Sequence, residues 1–261
     1  MKLGLGLVMA LGMLAMGCMG ASQEDAKVAQ AEYGLANDAF ARSSYREALD
    51  HVEKALEADE ENAEAAYLGA MIYLVFCASD DTSPDCRYDQ AEAYARKALE
   101  ADPNMRDATN VLGVILVHRG EAAEAAKILD PLAHDMLYRS PEKAWGNLGW
   151  AHLEAGQVDE AIPALRRSVA AQPLFCVGHY RLGLAYEKKG EMEAASQAFS
   201  RAVSIEEGDC GRLQDAFWGL ARVSEKLGRV AVARENLEQC QKLAAVSEVG
   251  KKCATKLRHL P

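Results

Sequence analysis

No Gly/Ser-rich or Pro-rich linker interrupts the 261-residue chain, which leaves either two compact domains or one elongated repeat body. A basic stripe is also missing, and the formal net charge is −10, from 29 Lys and Arg against 39 Asp and Glu. Nucleic-acid binders cluster cations to displace phosphate counterions, so no nucleic acid is expected as a partner. No Cys-x-x-Cys occurs, which disfavours zinc and thioredoxin-like chemistry. The histidines His51, His118, His134, His152, His179 and His259 form no i, i+4 pair and no His-Glu-x-x-His motif. No Walker-type or Rossmann-type glycine loop follows a strand, because β-branched runs are scarce and no segment reads convincingly as one. Acidic runs such as Glu57-Ala-Asp-Glu-Glu61 lack the glycine and the alternation of a calcium loop and read as solvated surface. The sequence therefore predicts no enzyme, no cofactor or metal, and no small-molecule substrate.

What is abundant is Ala, Leu, Glu, Lys and Arg, whose unbranched side chains lose little rotamer freedom in a helix, so the fold class expected is all-α. The start of the chain is a targeting segment. Met1-Lys2 precedes an uncharged apolar run from Leu3 to Met16, too short to span a bilayer comfortably. It ends in Leu14-Ala15-Met16-Gly17-Cys18, which resembles a bacterial lipobox with Cys18 as the acylated residue; simple cleavage near Gly20-Ala21-Ser22 is the alternative. With Met19 after the cysteine, the lipobox resemblance implies sorting to the outer membrane. The organisation expected is a signal peptide over 1–17, an anchored linker over 18–25, repeats over 26–246 and a capping helix over 247–261.

Self-similarity along the chain gives the strongest signal. Small residues recur at Ala36, Ala70, Gly113, Gly149, Gly183 and Ala221, and alanine recurs at Ala48, Ala91, Ala125, Ala161, Ala195 and Ala233. The second series steps by 43, 34, 36, 34 and 38 residues. Gly120, Gly156, Gly190 and Gly228 fall where a turn needs positive φ, and Pro103 and Pro173 fall where a helix must end. Trp145-Gly-Asn-Leu-Gly-Trp-Ala and His179-Tyr-Arg-Leu-Gly-Leu-Ala-Tyr186 resemble the tetratricopeptide repeat (TPR), with its small eighth residue on helix A and alanine twentieth on helix B. The resemblance covers about residues 26–245 and implies a right-handed superhelix of about six helix-turn-helix repeats.

Six cysteines besides Cys18, in an exported chain, read as disulfides. Cys77 and Cys86 flank an insertion between helices A and B of the second repeat. Cys176 starts helix A of the fifth repeat and Cys210 follows its helix B. Cys240 and Cys253 lie equally far from a turn near Ser247. Of the fifteen possible pairings, this placement favours 77–86, 176–210 and 240–253.

In TPR arrays positions 2, 5, 9 and 12 of helix A usually line the concave groove. Here they give Tyr33, Asn37 and Phe40, then Tyr67, Met71 and Leu74, then Asn110, Val114 and Val117. The later copies give Trp150 and Leu153, then Val177, Tyr180 and Leu184, and finally Trp218. The expected wall is apolar and aromatic rather than cationic, unlike the TPRs that clamp a C-terminal carboxylate, and such a wall fits a protein partner.

The middle of the chain carries a narrower resemblance. Asp130-Pro131-Leu132, Tyr138, Pro141 and Trp145-Gly-Asn-Leu-Gly-Trp150 resemble the pilotin lipoproteins of type IV pili, the Tgl, PilF and PilW group, in which a proline breaks helix B of the third repeat. Pro173-Leu-Phe-Cys-Val-Gly-His-Tyr-Arg-Leu-Gly183 and the C-terminal cysteines look closest to the Tgl branch. The resemblance implies an outer-membrane lipoprotein, facing the periplasm, that helps a secretin assemble into its ring. Tyr67, Met71, Leu74, Val114, Val117, Trp150, Leu153, Tyr180 and Leu184 would then hold an amphipathic segment of a secretin protomer, with Cys18 as the anchor. A general periplasmic scaffold for another envelope complex would use the same wall.

Overall fold

The structure is a computed structural model that describes residues 22–79, 82–208 and 210–260. The leader over 1–17 and Cys18 lie outside the described residues. Among those described there are thirteen α-helices and no strand. Twelve helices form six antiparallel pairs: α1 Gln23–Ala41 with α2 Tyr45–Ala58, α3 Ala63–Ser79 with α4 Tyr88–Ala101, and α5 Arg106–His118 with α6 Ala122–Ala133. The others are α7 Pro141–Glu154 with α8 Val158–Ala171, α9 Cys176–Lys189 with α10 Met192–Val203, and α11 Gln214–Lys226 with α12 Val230–Leu243. A 3-10 turn, Cys210–Arg212, precedes α11, and α13 Glu248–Arg258 packs on α12.

The chain divides into two compact units. The first, ending at Asn62, holds α1 and α2. Ser22 opens α1 with a capping box, its hydroxyl accepting from the Asp25 N–H while the Asp25 carboxylate accepts from the Ser22 N–H. Ala36, Ala39, Ala48 and Val52 are fully buried, and Phe40 meets Tyr45 edge to face across the turn. That turn places Ser43 at φ 61°, a conformation the later turns give to glycine.

The second unit starts at Ala63 and holds the other five pairs and α13. Gly120, Gly156, Gly190 and Gly228 adopt φ between 72° and 87° at the turns from helix A to helix B, as the sequence predicts. The turns out of helix B share a different device. Asp102 Oδ1 accepts from the Asn104 N–H and Asp135 Oδ1 from the Leu137 N–H, closing side-chain turns that start the next helix A. Pro131, expected to break helix B of the third repeat, sits inside α6, which continues to Ala133. Proline removes one N–H donor there, and the burial of Leu129, Leu132 and Ala133 in the core keeps the last turn helical.

The repeat signature is a packing rule. A Cβ built on Gly113 would lie 2.5 Å from Leu129, on Gly149 2.5 Å from Leu165, and on Gly183 2.6 Å from Phe199. Helix B thus drives a large side chain into the notch left by the small eighth residue of helix A. The series from Ala48 to Ala233 is fully buried in every copy. Phe199, fully buried, also fills the space over Gly219 of the next helix A, so one ring joins α9, α10 and α11. Burying such a side chain stabilises by roughly 1.5–3 kcal/mol. Disulfides join Cys77 to Cys86, Cys176 to Cys210 and Cys240 to Cys253, the pairing inferred from the repeat spacing.

Candidate partner-binding wall

Within the second unit the A helices α3, α5, α7, α9 and α11 contact one another in sequence order. The residues expected to face a partner lie on them, but not equally open. Tyr67, Met71, Leu74 and Trp150 are partly buried and pack on the core of the second to fourth repeats. Val114, Tyr180 and Leu184 also keep part of their surface in solvent. Val117 and Leu153 are only 6% and 4% exposed. Both occupy the twelfth position, where they join the core, so they support the wall and offer little contact area.

Polar side chains cross this wall from helix to helix. Asn147 of α7 donates through Nδ2 to Asn110 Oδ1 of α5 at 2.9 Å, and both asparagines are buried. Arg181 of α9 donates through Nη1 to Asn147 Oδ1 at 2.7 Å and lays its guanidinium 4.4 Å from the centre of the Trp150 ring. His118 of α5 meets the same indole edge to face, with ring centres 5.0 Å apart, and stacks its other side on Tyr88 of α4. Lys188 of α9 donates to the carbonyl of Leu153 at 3.0 Å.

Among the described residues no carboxylate pairs with Arg181, and its bonded partner is a neutral amide. Desolvation lowers its pKa to about 10, against small opposing contributions from Tyr180 and Glu154. Burial likewise pushes the Tyr180 hydroxyl up to about 12, and burial with the nearby Arg181 charge lowers the His118 pKa. A cation held this way costs free energy unless an anion meets it. The wall is consequently aromatic with a part-buried positive charge at Arg181, which corrects the expectation of a surface without cations.

The arginine escapes a reading confined to positions 2, 5, 9 and 12, since it stands at position 6. A signal was nevertheless present: Asn147 and Arg181 are 34 residues apart, one repeat, each two residues before the small glycine of its copy. Farther along, Glu187 of α9 accepts from Arg222 at 2.6 Å and Lys226 at 2.9 Å, both on α11. Burial alone would raise its pKa, but these hydrogen bonds and charges together hold it below the ordinary value.

The arrangement offers apolar and aromatic surface with fixed polar groups, which suits binding a polypeptide. The crystal structure of PilW, a widely conserved type IV pilus biogenesis factor, superposes with a TM-score of 0.72 at 26% identity, over 90% of this chain and all of PilW. PilF of Pseudomonas aeruginosa superposes with a TM-score of 0.67 at 18% identity and the same coverage, a likeness of fold. Mouse Superkiller complex protein 3 is 27% identical over 192 residues, 71% of this chain, which spans only 12% of that much longer protein. The tetratricopeptide repeat profile matches residues 33–75, 87–135, 130–175 and 147–209, well over half of the sequence. Together with the six helix pairs and their buried signature alanines, this shows that the chain belongs to the tetratricopeptide repeat family.

Proposed function

We propose that the chain is a pilotin of the Tgl, PilF and PilW kind, anchored in the outer membrane through Cys18, whose A-helix wall binds a secretin protomer of the type IV pilus machine and promotes its assembly. The observation that carries the reading is the likeness to PilW over the whole of that protein, at an identity above that of the other pilus relative. The wall chemistry supports it. A secretin protomer outside its ring exposes apolar strands that must be shielded until the ring closes. Trp150, Tyr180 and Leu184 supply apolar contact for such a segment, and Arg181 receives an acidic side chain on it. Acyl chains on Cys18 keep both partners at the membrane.

The test is to replace Val114 and, separately, Leu184 with Asp; both are partly exposed, and because Leu184 also packs on the core of the fourth to sixth repeats, circular dichroism must show its variant folded. Secretin multimers resistant to SDS are then assayed in cells producing each variant. The expected result is a strong loss of multimers with the variant still folded and membrane-bound. Undiminished multimers would remove the secretin from the reading. In parallel, Cys18→Ser should shift the protein from the outer-membrane fraction to the soluble periplasm.

A further inference from the structure

Beyond the wall, a cleft of about 510 Å³ opens at the C-terminal end of the second unit. Trp218 of α11 forms one side, and Glu248, Lys251, Lys252, Thr255, Lys256 and His259, on or just after α13, form the other. The sign of the charge is unusual for this protein. The chain carries −10 overall, whereas α13 sets Lys251, Lys252, Lys256 and Arg258 against the single acid Glu248.

Capping the last repeat does not require these cations. The capping task falls to Val249, Cys253, Leu257 and Leu260, which pack with Ala233 and Leu237 of α12. Lys252, Lys256 and His259 follow a second helical stripe, at i, i+4 and i+7. Lys251 pairs with Glu248 and Lys256 with Glu225, each at 2.6 Å, while Lys252 makes no ion pair among the described residues.

The cleft is also held rigidly. The Cys240–Cys253 disulfide ties α13 to α12. Gln214 of α11 donates to the carbonyls of Cys240 and Ala244, and its own carbonyl accepts from the Ser247 hydroxyl at 2.7 Å. Ser247 in turn accepts from the Gly250 N–H and caps α13. Three elements thus fix a row of ammonium groups beside an indole face.

An indole and lysine methylene stems offer apolar contact, and the ammonium tips offer charge. Trp218 has the same place in its repeat as Tyr180 on the wall, and Arg222, 5.4 Å from the Trp218 ring centre, bonds Glu187 of α9. The cleft therefore continues the A-helix wall. We propose that this cleft is a docking site for an acidic peptide segment in which Glu or Asp alternates with apolar residues. The choice of a peptide rests on reading the A-helix wall as a peptide-binding surface; the acidic character rests on the cleft alone.

The experiment uses the intact, disulfide-bonded chain and the synthetic peptide acetyl-Glu-Leu-Glu-Phe-Glu-Leu-amide, titrated by calorimetry at low and at physiological salt. Saturable binding that weakens with salt is expected. Lys251→Glu with Lys252→Glu, both on the exposed surface, should weaken it roughly tenfold or more. Lys127→Glu with Lys143→Glu, both exposed and outside the wall and the cleft, should leave it unchanged. No saturable binding, equal binding of the analogue with Lys in place of Glu, or indifference to the lysine reversals overturns the proposal. If only the wall variants Val114→Asp and Leu184→Asp abolish binding, the cleft fails while the wall reading stands. Preferential binding of phosphatidylglycerol vesicles through the same lysines would overturn it in favour of a lipid surface.

Discussion

Arg181 and Asn147, one repeat apart on α9 and α7, are joined at 2.7 Å from Nη1 to Oδ1, and the guanidinium rests on the Trp150 indole beside them. Its charge is part-buried and no carboxylate in the described chain pairs with it, so a complex that brings an anion to it is favoured. Replacing Arg181 with Met removes the charge and keeps most of the volume. Asn147 retains its bond to Asn110. The expected outcome is an unchanged or higher Tm together with roughly tenfold weaker binding of the proposed secretin partner, since hydrogen bonds to charged groups contribute about 1.5–3 kcal/mol. A lower Tm with binding intact would make Arg181 a structural residue.

Phe199 gives a prediction of opposite sense, about stability alone. Gly183 and Gly219 each leave room for its ring, and a Cβ on either would approach it to 2.6 Å. Gly183→Ala should cost about 1–3 kcal/mol by overpacking. In a Phe199→Leu background the ring is absent and Gly183→Ala should cost less, so the two changes should be coupled rather than additive. Chemical denaturation of the two single variants and the double variant measures this directly. Strict additivity would show that the ring does not fill the notch.

These two sites mark what the sequence can and cannot disclose. Gly183 is legible because a notch for a large side chain tolerates few residue types and recurs in every copy. The pairing of the six cysteines is legible because the repeat fixes which helix ends meet. Arg181 was not, since counting the usual groove positions ignores a long side chain that reaches across from the next register. Val117 and Leu153 fall at groove positions of the repeat, yet they are buried, because a position rule does not say how closely neighbouring A helices cover the end of each one. The Pro131 break was expected from a resemblance, and the tertiary burial of Leu132 and Ala133 overrides it.

His118 makes stability depend on pH. Burial, and then the Arg181 charge, lower its pKa below the ordinary 6.5, and burial does the same at His179 despite the Pro173 carbonyl that favours its protonated form. Between the lowered folded values and about 6.5 the unfolded chain binds more protons than the folded one, so stability rises with pH across that window. The contribution is fully present above about pH 6.5 and is lost as pH falls through the window. Thermal melts at about pH 7.5 and pH 5 should show a drop in Tm on acidification that is smaller in His118→Gln, and smaller again with His179→Gln added. An identical drop in all three proteins would assign the acid sensitivity to other groups.

The Cys240–Cys253 bridge has a local and a distant consequence. It closes a segment with 13 residues of sequence separation and ties α13 down through a fully buried pair of sulfurs. Replacing both cysteines with Ala should cost about 2–4 kcal/mol of stability through the freedom returned to the unfolded chain. Because Cys253 also belongs to the apolar contact between α13 and the last repeat, the loss should concentrate there, and trypsin should cut after Lys251 or Lys252 sooner than in the parent. The Cys77–Cys86 bridge, with a sequence separation of 9, closes a smaller loop between α3 and α4. Its removal should cost less and leave the proteolysis of α13 unchanged. Should the 240–253 variant melt like the parent and keep α13 resistant to trypsin, apolar packing and the Gln214 hydrogen bonds alone would hold that helix.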